Sequence, residues 1–119
     1  MADGQLTDAY RCGQLYAALA ALERLGSSNG KVALDDKDVR SKAAENPRGT
    51  LPNYLKQAVA YLMAAQHRRK GAEAATVFRA IPDLLPRTKE LPGSLSYAQR
   101  DDFYMGWCAQ VKALEAAAG

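Results

Sequence analysis

Apolar positions recur along most of this chain at steps of three and four, and nowhere do they alternate with polar ones over a strand-length run. That periodicity predicts helices and no sheet. A first helix is expected from Thr7 or Asp8, either of which suits a cap, to about Leu25. Leu6, Ala9, Tyr10, Gly13, Tyr16, Ala17 and Ala20 form one stripe of it, and Cys12, Leu15, Leu19 and Leu22 widen that stripe. Gln5, Arg11, Gln14, Glu23 and Arg24 take the remaining side. Residues 1–5 are expected to fray. Gly26 suits a left-handed helix end, and Ser27 to Gly30 continue as a loop. A short second helix is expected from Asp35 or Asp36 through Ala44, with Leu34, Val39 and Ala43 inward, broken by Asn46-Pro47-Arg48-Gly49.

Thr50 is the expected cap of a third helix, with Pro52 in the first turn, where a missing N–H costs nothing. Leu51, Leu55, Ala58, Val59 and Leu62 form its stripe; it ends near Arg69, with Gly71 closing it. A fourth helix runs from Ala72 to Ile81 with Ala75, Phe78 and Ile81 inward, and Pro82 and Pro86 disrupt the segment beyond it. The fifth begins at Ser96, whose spacing to Gln99 is that of a capping box. Phe103, Gly106, Trp107, Gln110, Val111 and Leu114 share one face of it. The stretch Leu95 to Gln110 holds the only Trp and one of the two Phe, so the core is expected to nucleate there. The fold class is all-α: a compact helical bundle of about five helices in a single domain, 1–119.

Gly13 and Gly106 stand inside strongly periodic helices, where Gly costs about 1 kcal/mol against Ala. Two such losses point to a packing reason, a close crossing of the first and last helices. Tyr10, Gly13, Tyr16, Phe103, Gly106 and Trp107 are therefore the expected structural core.

The 119 residues suffice for one domain, and their Ala-rich composition favours helix. No apolar run approaches the ~20 residues of a membrane span, so no membrane partner is expected. The N-terminus lacks the basic and apolar regions of a signal peptide, and the expected location is cytoplasmic. Two Cys and one His are too few for structural zinc, so neither metal nor cofactor is expected. Cys12 and Cys108 could form a disulfide, but in a chain without an export signal reduced, buried thiols are the expectation.

The net charge of +3 hides an uneven distribution. Residues 37–89 carry eleven bases against four acids, while both flanking segments are mildly acidic. Arg40, Lys42, Arg48, Lys56, Arg68, Arg69, Lys70 and Arg79, with Arg87 and Lys89, form a basic block that suits a nucleic-acid backbone. The bland alternative is a solvated polar face. The size of the excess, and its concentration in loops and short helices rather than in alternating pairs, favours the polyanion. Base reading is not supported, since no aromatic RNA-recognition pattern interleaves the block. His67 is explained by its place in a basic last turn. Asp35, Asp36 and Asp38, and likewise Asp101 and Asp102, sit where a helix N-terminus favours acids. Ser27-Ser28 lacks a nucleophile elbow, and the glycines at 26–30 lack phosphate-loop spacing. No enzyme is expected.

Two stretches carry a resemblance. Ala9-Tyr10-Arg-Cys-Gly13-Gln-Leu15-Tyr16-Ala17-Ala-Leu19 is similar to an A-Y-x-x-G-x-L-[FY]-A-x-L pattern. Leu95-Ser96…Phe103-Tyr-Met-Gly106-Trp107-Cys-Ala-Gln110 is similar to L-S-x6-F-x-x-G-[YW]-x-x-Q. Both occur in this order in the C-terminal region of the large subunit of type I-C CRISPR Cascade. Between them, Ala43-Ala44-x-x-Pro47 and Leu51-Pro52-x-x-Leu55 resemble a further run of that region. Cys108-Ala109 stands where that family has an aromatic-His pair, and the exact Cascade subtype is left open. The family also makes this region separately, as a small subunit, from an internal start.

The resemblance implies an antiviral-defence component: a helical small subunit that braces the crRNA–protein filament beside the large, backbone and other small subunits. It implies basic contacts to the single-stranded, displaced non-target DNA of the R-loop. The family pattern assigns no individual Lys or Arg; the charge argument alone supplies those. The alternative is a helical adaptor whose basic block docks onto an acidic protein.

Overall fold

The computed structural model describes residues 7–29, 31–87 and 90–118. The expected frayed end with Gln5 and Leu6, and also Gly30 and Lys89, lie outside the described residues. The described residues form five α-helices in order: α1 (Asp8–Gly26), α2 (Lys37–Glu45), α3 (Pro47–His67), α4 (Gly71–Leu84) and α5 (Tyr97–Ala118). One 3-10 turn, Ala33–Asp35, precedes α2, and no strand occurs among the described residues. The all-α bundle of about five helices is the observed fold.

Four of the five described helices start on a side-chain cap, and α4 alone has none. The Thr7 side chain accepts from the Tyr10 N–H at 3.1 Å and opens α1. Asp36 caps α2, accepting from the N–H groups of Asp38 and Val39. Ser96 and Gln99 exchange the two bonds of the capping box at 3.2 and 2.8 Å and open α5. The third helix departs from expectation. Asn46, not Thr50, caps it by accepting from Gly49 N–H, and Pro47 takes the first helical position. The break expected at residues 46–49 is thus the first turn of α3, and Pro52 falls inside the helix instead of at its start. Pro82 likewise lies inside α4, which runs on to Leu84.

The centre of the core is α1 rather than the aromatic-rich α5. Ten of its 19 residues are buried, from Ala9 to Leu22, because α2, α3, α4 and α5 all pack on it. Arg11, Gln14, Glu23 and Arg24 keep only a narrow polar side of α1, and the broad apolar remainder is covered by its neighbours. In α5 only Phe103 and Gly106 are fully buried between Tyr97 and Ala116, while Met105 and Tyr97 are exposed. On α4 the inward face is Ala74, Val77, Ile81 and Leu84; Ala75 and Phe78, expected inward, are only half-buried.

Two glycines, one on α1 and one on α5, let the two helices close on each other at the centre. A β-carbon on Gly13 would overlap the Phe103 carbonyl oxygen and stand 2.8 Å from Trp107 N. One on Gly106 would overlap the Tyr10 carbonyl oxygen and stand 2.8 Å from its carbon. The α1–α5 crossing is therefore backbone on backbone. Gly26 serves similarly: its α-carbon faces Tyr61 of α3, whose carbonyl oxygen would lie 2.8 Å from an added β-carbon. The expected left-handed glycine is not found there, and the cap after α1 is Ser27 in extended conformation.

Candidate nucleic-acid interface

The basic block divides into cations bound within the fold and cations left over. Arg40 of α2 lies over the Trp107 ring, 4.3 Å from its centroid, and donates to the Asp35 carbonyl at 3.4 Å. Arg48, at the start of α3, donates from Nε to the Leu91 carbonyl at 2.8 Å and lies 3.5 Å from a Glu90 carboxylate oxygen. With Arg48 N–H on the Pro92 carbonyl and Leu95 N–H on the Glu45 carbonyl, it ties the loop before α5 to the α2–α3 corner. Arg68 reaches back to the Leu25 carbonyl at 3.0 Å and covers the carbonyl end of α1. These three guanidiniums hold elements together.

Lys42, Lys56, Arg69, Lys70 and Arg79 differ. Among the described residues none of their side chains has a hydrogen-bond acceptor, a carboxylate or a ring beside it. Lys42, Lys56, Arg69 and Arg79 are exposed, and Lys70 is half-buried. Arg87 is also exposed, and among the described residues only its backbone N–H is engaged, by Asp8.

Arg69 and Lys70 occupy the corner between α3 and α4, and the backbone there is unusual. Arg69 has φ 64°, the one positive value among described residues other than glycine. Lys70 N–H bonds the Ala65 carbonyl at 2.8 Å, and Arg69 N–H bonds that of Gln66 at 3.1 Å. This pair of bonds is the Schellman motif, whose left-handed position Gly usually fills because a β-carbon is strained there. Here the position carries a cation. The expected helix-closing glycine, Gly71, instead begins α4. No feature of a single sequence marks Arg69 for this conformation, since Gly71 two residues later gives the stronger signal.

The structural-core residues fall around the α1–α5 crossing. Gly13, Tyr16, Phe103 and Gly106 are buried; Tyr10 and Trp107 are half-buried. The rings of Tyr16 and Phe103 meet edge to face at 5.9 Å. The Tyr16 hydroxyl donates to the Leu34 carbonyl, and burial pushes its pKa upward. Burial, with Asp8 nearby, pushes the Cys12 thiol up to about 12. Cys108, expected to be buried, is exposed, and both thiols are free.

Among the acids, Asp35 pairs with Arg24 at 2.7 Å and Asp102 accepts from the Thr7 hydroxyl at 3.2 Å. His67 is exposed at the end of α3. No group of three or more metal-ligating side chains occurs among the described residues. No described helix is long and apolar enough to cross a membrane. No family model matches the chain, and neither does any curated protein.

Proposed function

We propose that this chain is a non-enzymatic, cytoplasmic small subunit of a CRISPR Cascade effector. In this reading it braces the crRNA-containing filament and steadies the R-loop by weak contacts to the displaced DNA strand. The observation that carries the contact role is the set of cations unpartnered among the described residues, Lys42, Lys56, Arg69, Lys70 and Arg79. Phosphate contacts of this kind are sequence-independent and salt-sensitive. Because R-loop formation exchanges duplexes of nearly equal stability, a few of them shift its balance. Several copies would add by avidity.

The family assignment rests on the sequence resemblance, and the packing gives that resemblance a physical sense. Its two main stretches, Ala9–Leu19 and Leu95–Gln110, meet at the glycine crossing, so the Gly of each pattern is the residue the crossing requires. Relative to the sequence expectation, the proposed DNA-contacting set loses Arg40, Arg48 and Arg68, whose guanidiniums are engaged internally.

The test is purification of the tagged chain from its source cells at low salt, with sequencing of any bound RNA. Repeat-derived crRNA in the preparation supports the assignment. A stable protein complex free of RNA would favour the adaptor reading and overturn this one.

A further inference from the structure

Helices α4 and α5 both pack on α1, yet among described residues no Cα of one comes within 8 Å of the other. Between them lies an open groove of about 670 Å³. Its floor is Ala17, Ala20 and Ala21 of α1; Val77 stands on one wall, and Trp107 and Leu114 on the other. A floor of small side chains between taller apolar walls is the shape that accepts the ridge of a further helix. Trp107 is held in place by Arg40 on its ring.

The rim decides what enters. It carries Arg24 and Asp35, which neutralise each other at 2.7 Å, together with Glu73 and Glu115, which have no cationic partner among described residues. A phosphate backbone or an anionic lipid surface would meet two uncompensated carboxylates. A polypeptide with Lys or Arg beside its apolar face would neutralise them.

We infer that the α1–α4–α5 groove receives an amphipathic helix of a partner protein whose apolar face is flanked by basic residues. None of the proposed DNA-contacting cations lines this groove, and its proposed role does not depend on them. Its apolar part supplies attraction, and its rim selects the sign of the partner's flanks.

The chain's single Trp lies in the wall and reports occupancy directly. The probe is a synthetic helix of ~15 residues, long enough for marginal helicity, with Leu and Ala at i, i+3, i+4 and i+7 and Lys on both flanks. A second peptide carries Glu in place of Lys. The expected result is a saturable shift of Trp107 emission with the Lys peptide and at least ~10-fold weaker binding of the Glu peptide. In the double variant Glu73→Lys/Glu115→Lys, both on exposed positions, that preference should reverse. Equal binding of both peptides, or no shift up to about 1 mM peptide, overturns the inference. So does a Trp107 shift that tracks the chain's own concentration without peptide, which would make a second copy the occupant.

Discussion

Gly106 of α5 rests directly on the Tyr10 peptide of α1, and a single added methyl there would occupy the Tyr10 carbonyl oxygen. Because Gly13 presses reciprocally on Phe103, the two helices can separate only by giving up the whole contact. Overpacking typically costs 1–3 kcal/mol when side chains can yield, and here the obstacle is backbone. Gly106→Ala should therefore lose about 3 kcal/mol or more, and Gly106→Leu should not fold compactly. Gly93→Ala is the control. Its β-carbon would approach only the Arg48 guanidinium at 3.8 Å, and a change within about 0.5 kcal/mol is expected. Urea unfolding midpoints measure both.

A second prediction uses the strained corner. The left-handed backbone of Arg69, φ 64°, costs roughly 1–2 kcal/mol that glycine avoids. Arg69→Gly should raise the unfolding free energy by up to about 1 kcal/mol, since the more flexible unfolded glycine offsets part of the relief. The same change should weaken binding to a single-stranded oligonucleotide. Opposite signs in the two assays identify a residue kept for contact. Loss of stability together with binding would assign Arg69 a structural role.

The internally bound arginines should behave in the reverse way. Arg40→Ala removes a ring contact and a carbonyl bond and should cost about 1–2 kcal/mol, with a change in Trp107 emission. In contrast, Arg69→Glu/Lys70→Glu should leave the fold intact. For single strands each lost phosphate contact flattens the dependence of log K on log salt by about 0.7, so the double variant should lose about 1.4. Fluorescence anisotropy across a salt series reads this slope. An unchanged slope would remove the two residues from the interface.

The two thiols and Tyr16 give a pH signature. At pH 8 one equivalent of a thiol reagent should react quickly, at Cys108, while Cys12, with its pKa near 12, waits for unfolding. Cys12 and Tyr16 have folded-state pKa values above their ordinary ones, so their stabilising contribution is complete below the ordinary values of 9.0 and 10.0. It is lost as pH rises beyond them, because the unfolded chain then gives up protons that the folded chain retains. Denaturation midpoints should fall from about pH 9 upward, and Cys12→Ala/Tyr16→Phe should flatten that fall. A midpoint independent of pH from 8 to about 11 would contradict the burial of both groups.

Much of this was legible because it is local. Helix periodicity, the Ser96–Gln99 box and the Asp36 cap depend on neighbours in sequence, and the two costly helix glycines announced a crossing. What was hidden depends on partners distant in sequence. Aromatic richness drew the expected core to α5, whereas Leu15, Tyr16, Leu19 and Leu22 of α1 occupy the centre because four helices surround it. Asn46 outcompeted Thr50 as a cap because Pro47 is already suited to a first turn. Within the basic block, sequence shows charge but not neighbours. Only the fold separates Arg68, engaged on Leu25, from Arg69 beside it.

The proposed function has the cations that are unpartnered among the described residues hold the displaced strand of an R-loop. Its most direct measurement is R-loop lifetime on the crRNA-containing complex assembled with either the unaltered chain or Arg69→Glu/Lys70→Glu. The expected result is normal assembly in both cases, a shorter-lived R-loop with the variant, and a difference that shrinks as salt rises. Failure of the unaltered chain to join the complex, or equal lifetimes at low salt, would contradict it.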